Sequence, residues 1–380
     1  MILPAAARGL GLAVALTAAP AMSQATIGIS ADYMGYTFGD GLGAEAAQLF
    51  MLPVAVRIPI SDKVSFDIAS TWAQGTIERD NTQFKLQGVT DTRVLATYQA
   101  SPWAIVSFGA NVPTGQVKHD AQEAIVASVL STELLGFREA TFGSGLALTS
   151  AVATAMRAGG WGIGFAGAYS VRGEFEPLAG GDELRYQPGN ETRIRVGVDR
   201  NIGTNTFTAG ATFRQYTSDQ ANGRNLFQAG NRLRFDATYA FRASAGVWTI
   251  YGAGVLRENG DLTLSILDEN SVLVGDTAIV TAKQNLISGG VIGTLSVGGG
   301  FVFRPHIDMK YQIRTEPDGR DEGSGWVLGA GGDLPIRIFG AYDFFPKARI
   351  LYGSIKDPTG AGIRVMGAEF AGTIRWALGR

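Results

Sequence analysis

The 380-residue chain has no cysteine and only two histidines, His119 and His306. The first absence removes disulfides and thiolate metal sites. It fits an exported protein that gains stability by closing a sheet. No zinc-type spacing, phosphate-binding glycine loop or regular Asp/Asn calcium loop occurs either. Long apolar runs are also missing. Beyond the first 25 residues nothing approaches the roughly 20 apolar residues of a spanning helix, which argues against a helical membrane protein. Nor is there charge of one sign: 32 Lys and Arg stand against 34 Asp and Glu, net −2. That balance argues against a nucleic-acid binder.

What is present begins with a leader. Arg8 supplies one positive charge, residues 9–19 are apolar, and small residues follow. This predicts a signal peptide over residues 1–25, cut after Ala25, with Ala21 as the competing site. A single unit over residues 26–380 would remain.

That unit is organised around residues 231–242. Leu233, Phe235, Ala237, Tyr239 and Phe241 fall on one parity; Arg232, Arg234, Asp236, Thr238 and Arg242 fall on the other. Strand side chains alternate between two faces, so this is a strand with one apolar and one charged face. The pattern recurs at residues 26–38, 47–60, 63–76, 85–99, 103–112, 140–157, 160–173, 191–200, 206–216, 247–258, 284–295, 299–314, 325–337, 345–355 and 364–378. Short and long connections alternate between these stretches. The pattern predicts an all-β, up-and-down antiparallel transmembrane β-barrel of about 16 strands, with about 14 as the alternative. The apolar parity would face lipid and the charged parity a polar lumen. Tyr98, Trp161, Phe241, Trp248 and Trp376 lie beside tight turns; Tyr169, Tyr311, Trp326 and Tyr352 lie toward long loops. Two aromatic girdles would produce this.

The connection over residues 113–139 breaks the strand period. Asp120 and Glu123 have the spacing of a capping box, and Ile125, Val126, Val129, Leu130 and Leu134 recur at helical spacing. This predicts a helix serving as a lumen plug or as a cover on the rim. Residues 259–283 read as a hairpin that reaches beyond the membrane or folds inward.

The lumen parity carries Arg93, Arg193, Arg195, Arg232, Arg234, Arg242, Arg304, Lys310, Arg314, Arg337, Lys347, Arg349 and Arg375. Against them stand Asp67, Asp91, Asp199, Asp236, Asp308, Asp333 and Glu369, while other acids gather in long loops. Two readings follow. The basic residues form an anion-favouring constriction, or they pair with carboxylates across neighbouring strands and stiffen the wall. Gly162, Gly164, Ala166 and Ala168 leave space inside, which favours a channel. His306 shares a face with Asp308, but residues i and i+2 of any strand do so, and a polar lumen residue is the expected role. No enzymatic activity and no cofactor or metal is expected.

Asn111-Val112-Pro113-Thr114-Gly115-Gln116, at a strand end where the helical connection opens, resembles the Leu-Pro-Thr-Gly segment of one outer-membrane channel family. That family is linked to meta-pathway aromatic degradation and related to the long-chain fatty-acid transporters. The resemblance implies passive uptake of small hydrophobic or aromatic molecules. The chain departs from the fatty-acid channels in lacking an N-terminal hatch and an Asn-Pro-Ala motif. The last residue is Arg380, with Trp376 the nearest aromatic, so a shifted assembly signal is expected.

The expected function is passive diffusion of small solutes, hydrophobic or aromatic, across the bacterial outer membrane. The alternatives are an anion-favouring general porin and a non-transporting adhesin or structural barrel. Expected partners are membrane lipids and lipopolysaccharide, a small-molecule solute and the barrel-assembly machinery, with no nucleic acid.

Overall fold

The alternating stretches pair antiparallel around a closed circle in the computed structural model. It describes residues 25–139, 142–179, 184–267, 273–298, 301–319, 323–338, 342–356 and 360–378. The expected leader and the expected turn at residues 268–271 lie outside the described residues. In chain order come β1 (Ala25–Phe38), β2 (Ala46–Pro59), β3 (Val64–Arg79), β4 (Thr82–Val89), β5 (Thr92–Ser101) and β6 (Ala104–Val112). After helix α1 (Ala121–Leu130) follow β7 (Ala147–Ala158), β8 (Trp161–Arg172), β9 (Tyr186–Gln187), β10 (Glu191–Ile202) and β11 (Asn205–Tyr216). Next are β12 (Asp219–Ala221), β13 (Arg224–Gln228), β14 (Arg232–Ala243), β15 (Gly246–Arg257), β16 (Asp261–Leu267) and β17 (Leu273–Val280). The chain ends with β18 (Lys283–Ser296), β19 (Val302–Thr315), β20 (Gly325–Asp333), β21 (Ile336–Ile338), β22 (Tyr342–Lys356) and β23 (Gly362–Leu378).

Two pairs of strands, β4 with β5 and β20 with β21, each form one interrupted stave. The wall therefore has 16 staves, as the alternation predicts. The first strand pairs with β2 on one side and with β23 on the other, from Ala25↔Leu378 to Phe38↔Val365, which closes the barrel. Closure pairs the long staves on both sides, while among the described residues β4 is laddered only to β3 and β21 only to β22.

The outer face is apolar. Leu148, Phe165, Phe235, Ile250, Ile350 and Phe370 are all exposed on it. In water such a continuous belt would cost about 1.5–3 kcal/mol for each large side chain left unburied, and lipid removes that cost. Aromatic pairs mark the two rims. Tyr342 lies 6.3 Å from Trp376 near the tight-turn end, and Trp326 lies 5.7 Å from Tyr352 near the long-loop end. No described helix is long and apolar enough to cross a membrane; the strands make the crossing.

The connections follow the expected asymmetry, with two corrections. The sequence reading leaves residues 77–84 as a loop. The structure runs β3 and β4 through them to a two-residue turn, with Asp80 at φ 51° and Asn81 at φ 57°. Positive φ at both central positions matches the right-handed strand twist, and Asp and Asn tolerate it. The inward residues Ile77 and Leu86 are buried here, which holds the hairpin together despite its polar outer parity. The stave expected from residue 140 begins instead at Ala147, because residues 142–146 return the long connection to the wall and bury Phe142.

Above the long-loop end, β17, β16, β13, β12 and β9 form a separate five-stranded sheet. The expected hairpin at residues 259–283 supplies β16 and β17. Tyr186 donates its hydroxyl to Asp219. Burial, and then that hydrogen bond, push its phenol above the usual range.

Candidate functional site

The connection between β6 and β7 folds inside the barrel. Asp120 accepts from the backbone N–H of Gln122 and Glu123 at 2.8 Å, and the Glu123 carboxylate accepts from the Asp120 N–H at 3.1 Å. This closes the capping box that the sequence predicts. The helix lies against inward residues of β2, β3 and β4. Its docking stripe is Val126 and Leu130, continued by Leu134 and Leu135, all buried. Ile125 is exposed, a correction to the helical stripe read from the sequence, and Val129 is only partly buried. The fit is close: a Cβ at Gly75 would stand 2.6 Å from Leu130 Cδ1. Met34, Tyr36, Leu49, Met51, Ile77, Val327 and Leu351 complete this interior apolar cluster.

Asp91 clasps the two ends of the connection. It sits in the break between β4 and β5, buried, and accepts from the N–H of Gly115 at 3.1 Å and of Ser144 at 2.7 Å. The Thr114 hydroxyl donates to the Thr90 carbonyl at 3.1 Å and accepts from the Thr92 N–H at 2.9 Å. The Pro113-Thr114-Gly115 segment is thus an anchor for the connection.

Past the helix the chain crosses the lumen. Glu133 reaches Arg232 and Gln284, each at 3.4 Å. The Lys310 ammonium fills the space a Cβ on Gly136 would need. Tyr36 donates to the Leu135 carbonyl at 2.7 Å. Arg138 bridges the buried carboxylates of Asp32 and Glu369, the latter at 2.8 Å. Glu369 also accepts from Lys347 at 2.7 Å and Arg349 at 3.3 Å, and Arg349 binds Asp308. Arg304 pairs with Asp333 on the next stave. Here basic residues serve to neutralise carboxylates and hold the wall and the connection together.

The other side of the lumen differs. Cross-strand register aligns Arg193↔Arg214, Arg214↔Arg232, Arg232↔Arg257, Arg257↔Gln284 and Gln284↔Arg314 in one row across six staves. A second row, Arg195↔Thr212↔Arg234, lies one step toward the tight-turn end. Like charges directly opposite destabilise a sheet, so the row demands carboxylates. Buried Glu191 meets Arg172 and Arg193 at 2.9 Å and Arg214 at 3.8 Å. Asp236 takes two bonds from Arg195, at 2.8 and 2.9 Å. Tyr216 lies under the guanidinium groups of Arg172 and Arg232, at 6.0 and 5.6 Å. Beside the row, β7 and β8 turn only small residues inward along their middles: Ala151, Ala153 and Ala155, then Gly162, Gly164, Ala166 and Ala168. Short side chains therefore border the arginines on the β7–β8 side.

The sequence-derived residues divide accordingly. Arg193, Arg195, Arg232 and Arg234 belong to the rows. Arg304, Lys310 and Arg349 belong to the wall and connection network. Arg375 stacks over Phe345 at 5.7 Å. His306 faces inward between Ile292 and Gly331, and its neighbour Asp308 is taken by Arg349. Among the described residues no cluster of His, Cys, Asp or Glu could hold a metal ion. Sequence reading missed Arg172, Arg214 and Arg257, which strand parity could have revealed. It also missed Glu133 and Arg138, whose partners no local pattern reveals.

No protein-family model matches the chain, and no curated protein matches it. Solved structures do. CdiB from Acinetobacter baumannii shares 10% identity at a TM-score of 0.54, over 94% of this chain and 61% of that one. The chain therefore spans under two thirds of CdiB. OccK11 (OpdR) of Pseudomonas aeruginosa shares 11% identity at a TM-score of 0.47, covering 94% and 96%. OmpT, an outer membrane protein of Vibrio cholerae, shares 11% at 0.41, covering 93% and 96%. At 10% identity the likeness to CdiB shows the fold alone: this is a barrel of the bacterial outer-membrane type.

Proposed function

We propose that the chain is a passive outer-membrane channel for small solutes and that its lumen favours anions. One observation carries this reading: the arginine row beside the small inward residues of β7 and β8. A narrowing lined by guanidinium groups concentrates anions and repels cations, and low-dielectric walls strengthen that field. The alternative of hydrophobic or aromatic solutes has less support. The lumen's apolar surface is covered by the connection's own Val126, Leu130, Leu134, Leu135 and Phe137. The docked helix narrows the pore from one side, the arginines line the other, and Glu133 reaches across to them.

The test is replacement of Arg214, Arg232 and Arg257 by glutamine, with ion selectivity read in a planar bilayer. The reversal potential is expected to move from anion-favouring toward neutral by at least half. An unchanged reversal potential would remove the row from the account of selectivity.

A further inference from the structure

Glu133 is held loosely compared with the other carboxylates of the barrel interior. Its two oxygens lie 3.4 Å from Arg232 and Gln284, whereas Asp236 receives Arg195 at 2.8 and 2.9 Å. A third of its side chain, 33%, is exposed. The ion pair is not what positions it. Leu134 and Leu135 beside it are buried, and the Leu135 carbonyl accepts from Tyr36. Apolar docking of the backbone thus presents a carboxylate to the middle of the row without binding it tightly.

The row has capacity to spare at that point. Arg214 and Arg257 flank Arg232 in register. The Nε atoms of Arg232 and Arg257 are buried with no hydrogen-bond partner. Arg195, Arg304 and Arg349 also leave Nε unpartnered, but each already holds a carboxylate closely, whereas Arg232 has only Glu133 among the described carboxylates, at 3.4 Å. A carboxylate set between a guanidinium and an amide, as Glu133 is, takes donors from both and suits a planar monoanion.

We infer that Arg214, Arg232, Arg257 and Gln284 form a carboxylate-binding site in the channel, that Glu133 is its resident occupant, and that a small monocarboxylate passes by displacing it. The inference rests on the anion-channel reading and adds to it a solute class and a competitor built into the chain. Glu133 lowers the site's affinity, so the site binds a carboxylate weakly enough to release it. Conduction needs that balance between entry and exit.

The experiment is block of single-channel chloride current by benzoate, for the intact protein and for E133Q, R232Q and R257Q. Glutamine keeps the size of Glu133 and removes its charge. Folding of each variant is checked by heat-modifiable electrophoretic mobility. Losing a partly exposed ion pair corresponds to at most about fivefold in affinity, so E133Q should be half-blocked at about two- to fivefold less benzoate. R232Q and R257Q should need more benzoate than the unaltered protein. Equal or weaker block of E133Q, with the unaltered channel still anion-favouring, would overturn the resident-occupant inference and leave the anion reading standing. A cation-favouring unaltered channel would instead defeat the anion reading, and this inference with it.

Discussion

At the scale of single residues, the best-defined device is the clasp at Asp91. Its acceptors take N–H groups from Gly115 and Ser144, at the two ends of the lumen connection. A Cβ on Gly115 would stand 2.1 Å from the Phe142 carbonyl oxygen and 2.8 Å from the Asp91 nitrogen. Gly115→Ala should therefore open the clasp, and Asp91→Ala should remove about 1.5–3 kcal/mol for each hydrogen bond to the lost carboxylate. Limited proteolysis is the check: both variants should be cut within residues 113–146 at least about tenfold faster than the unaltered protein. Equal rates would show that the clasp does not hold the connection. The Pro-Thr-Gly segment was visible in the sequence, but its role was not. Asp91 is 24 residues from Gly115 and 53 from Ser144, and only the closed barrel brings them together.

At the scale of elements, the helix-bearing connection is a lumen occupant fixed from several sides of the barrel. Val126 and Leu130 dock on β2–β4 and Leu134 beside Gly325 of β20, Arg138 reaches β1 and β23, and Glu133 reaches β14 and β18. Arg138→Ala would leave Asp32 and Glu369 buried with one cation fewer, a loss of about 3–5 kcal/mol. The expected result is a larger and noisier single-channel current. A quiet current of the original size would mean that apolar docking alone secures the connection. Leu134→Ala should loosen the same element by about 2–5 kcal/mol, read as faster hydrogen exchange over residues 121–139. Exchange at the original rate would show that Leu134 is not needed for docking. The helix was legible because a capping box is local. Its buried edge was less so: Ile125, Val126, Val129 and Leu130 share one arc of about 140°, and the periodicity does not say that Val126 and Leu130 take the buried edge and Ile125 the exposed one. The β3–β4 hairpin escaped for a related reason. Glu78, Arg79, Gln83 and Lys85 make the stretch polar, and it became strand because Ile77 and Leu86 found the connection to pack on.

At the scale of the whole molecule, the barrel sets an arginine row across the lumen from the docked helix, and the same connection carries Glu133 to that row. The barrel itself was legible because period-two alternation repeats along nearly the whole chain, and lipid outside with polar lumen inside accounts for it. The inward parity of Arg193, Arg195, Arg232 and Arg234 could be read strand by strand. Their alignment into a row could not, since register depends on turn lengths and closure, as in Arg193↔Arg214↔Arg232↔Arg257. A selectivity of electrostatic origin should fall with salt, because the Debye length shrinks from about 10 Å at 0.1 M to about 3 Å at 1 M. The measurement that tests the central claim most directly is the reversal potential of the purified, refolded protein in a planar bilayer under a tenfold potassium chloride gradient. The account predicts a steady conductance with a potential that favours chloride over potassium. A potential favouring potassium, or no conductance at all, would contradict it.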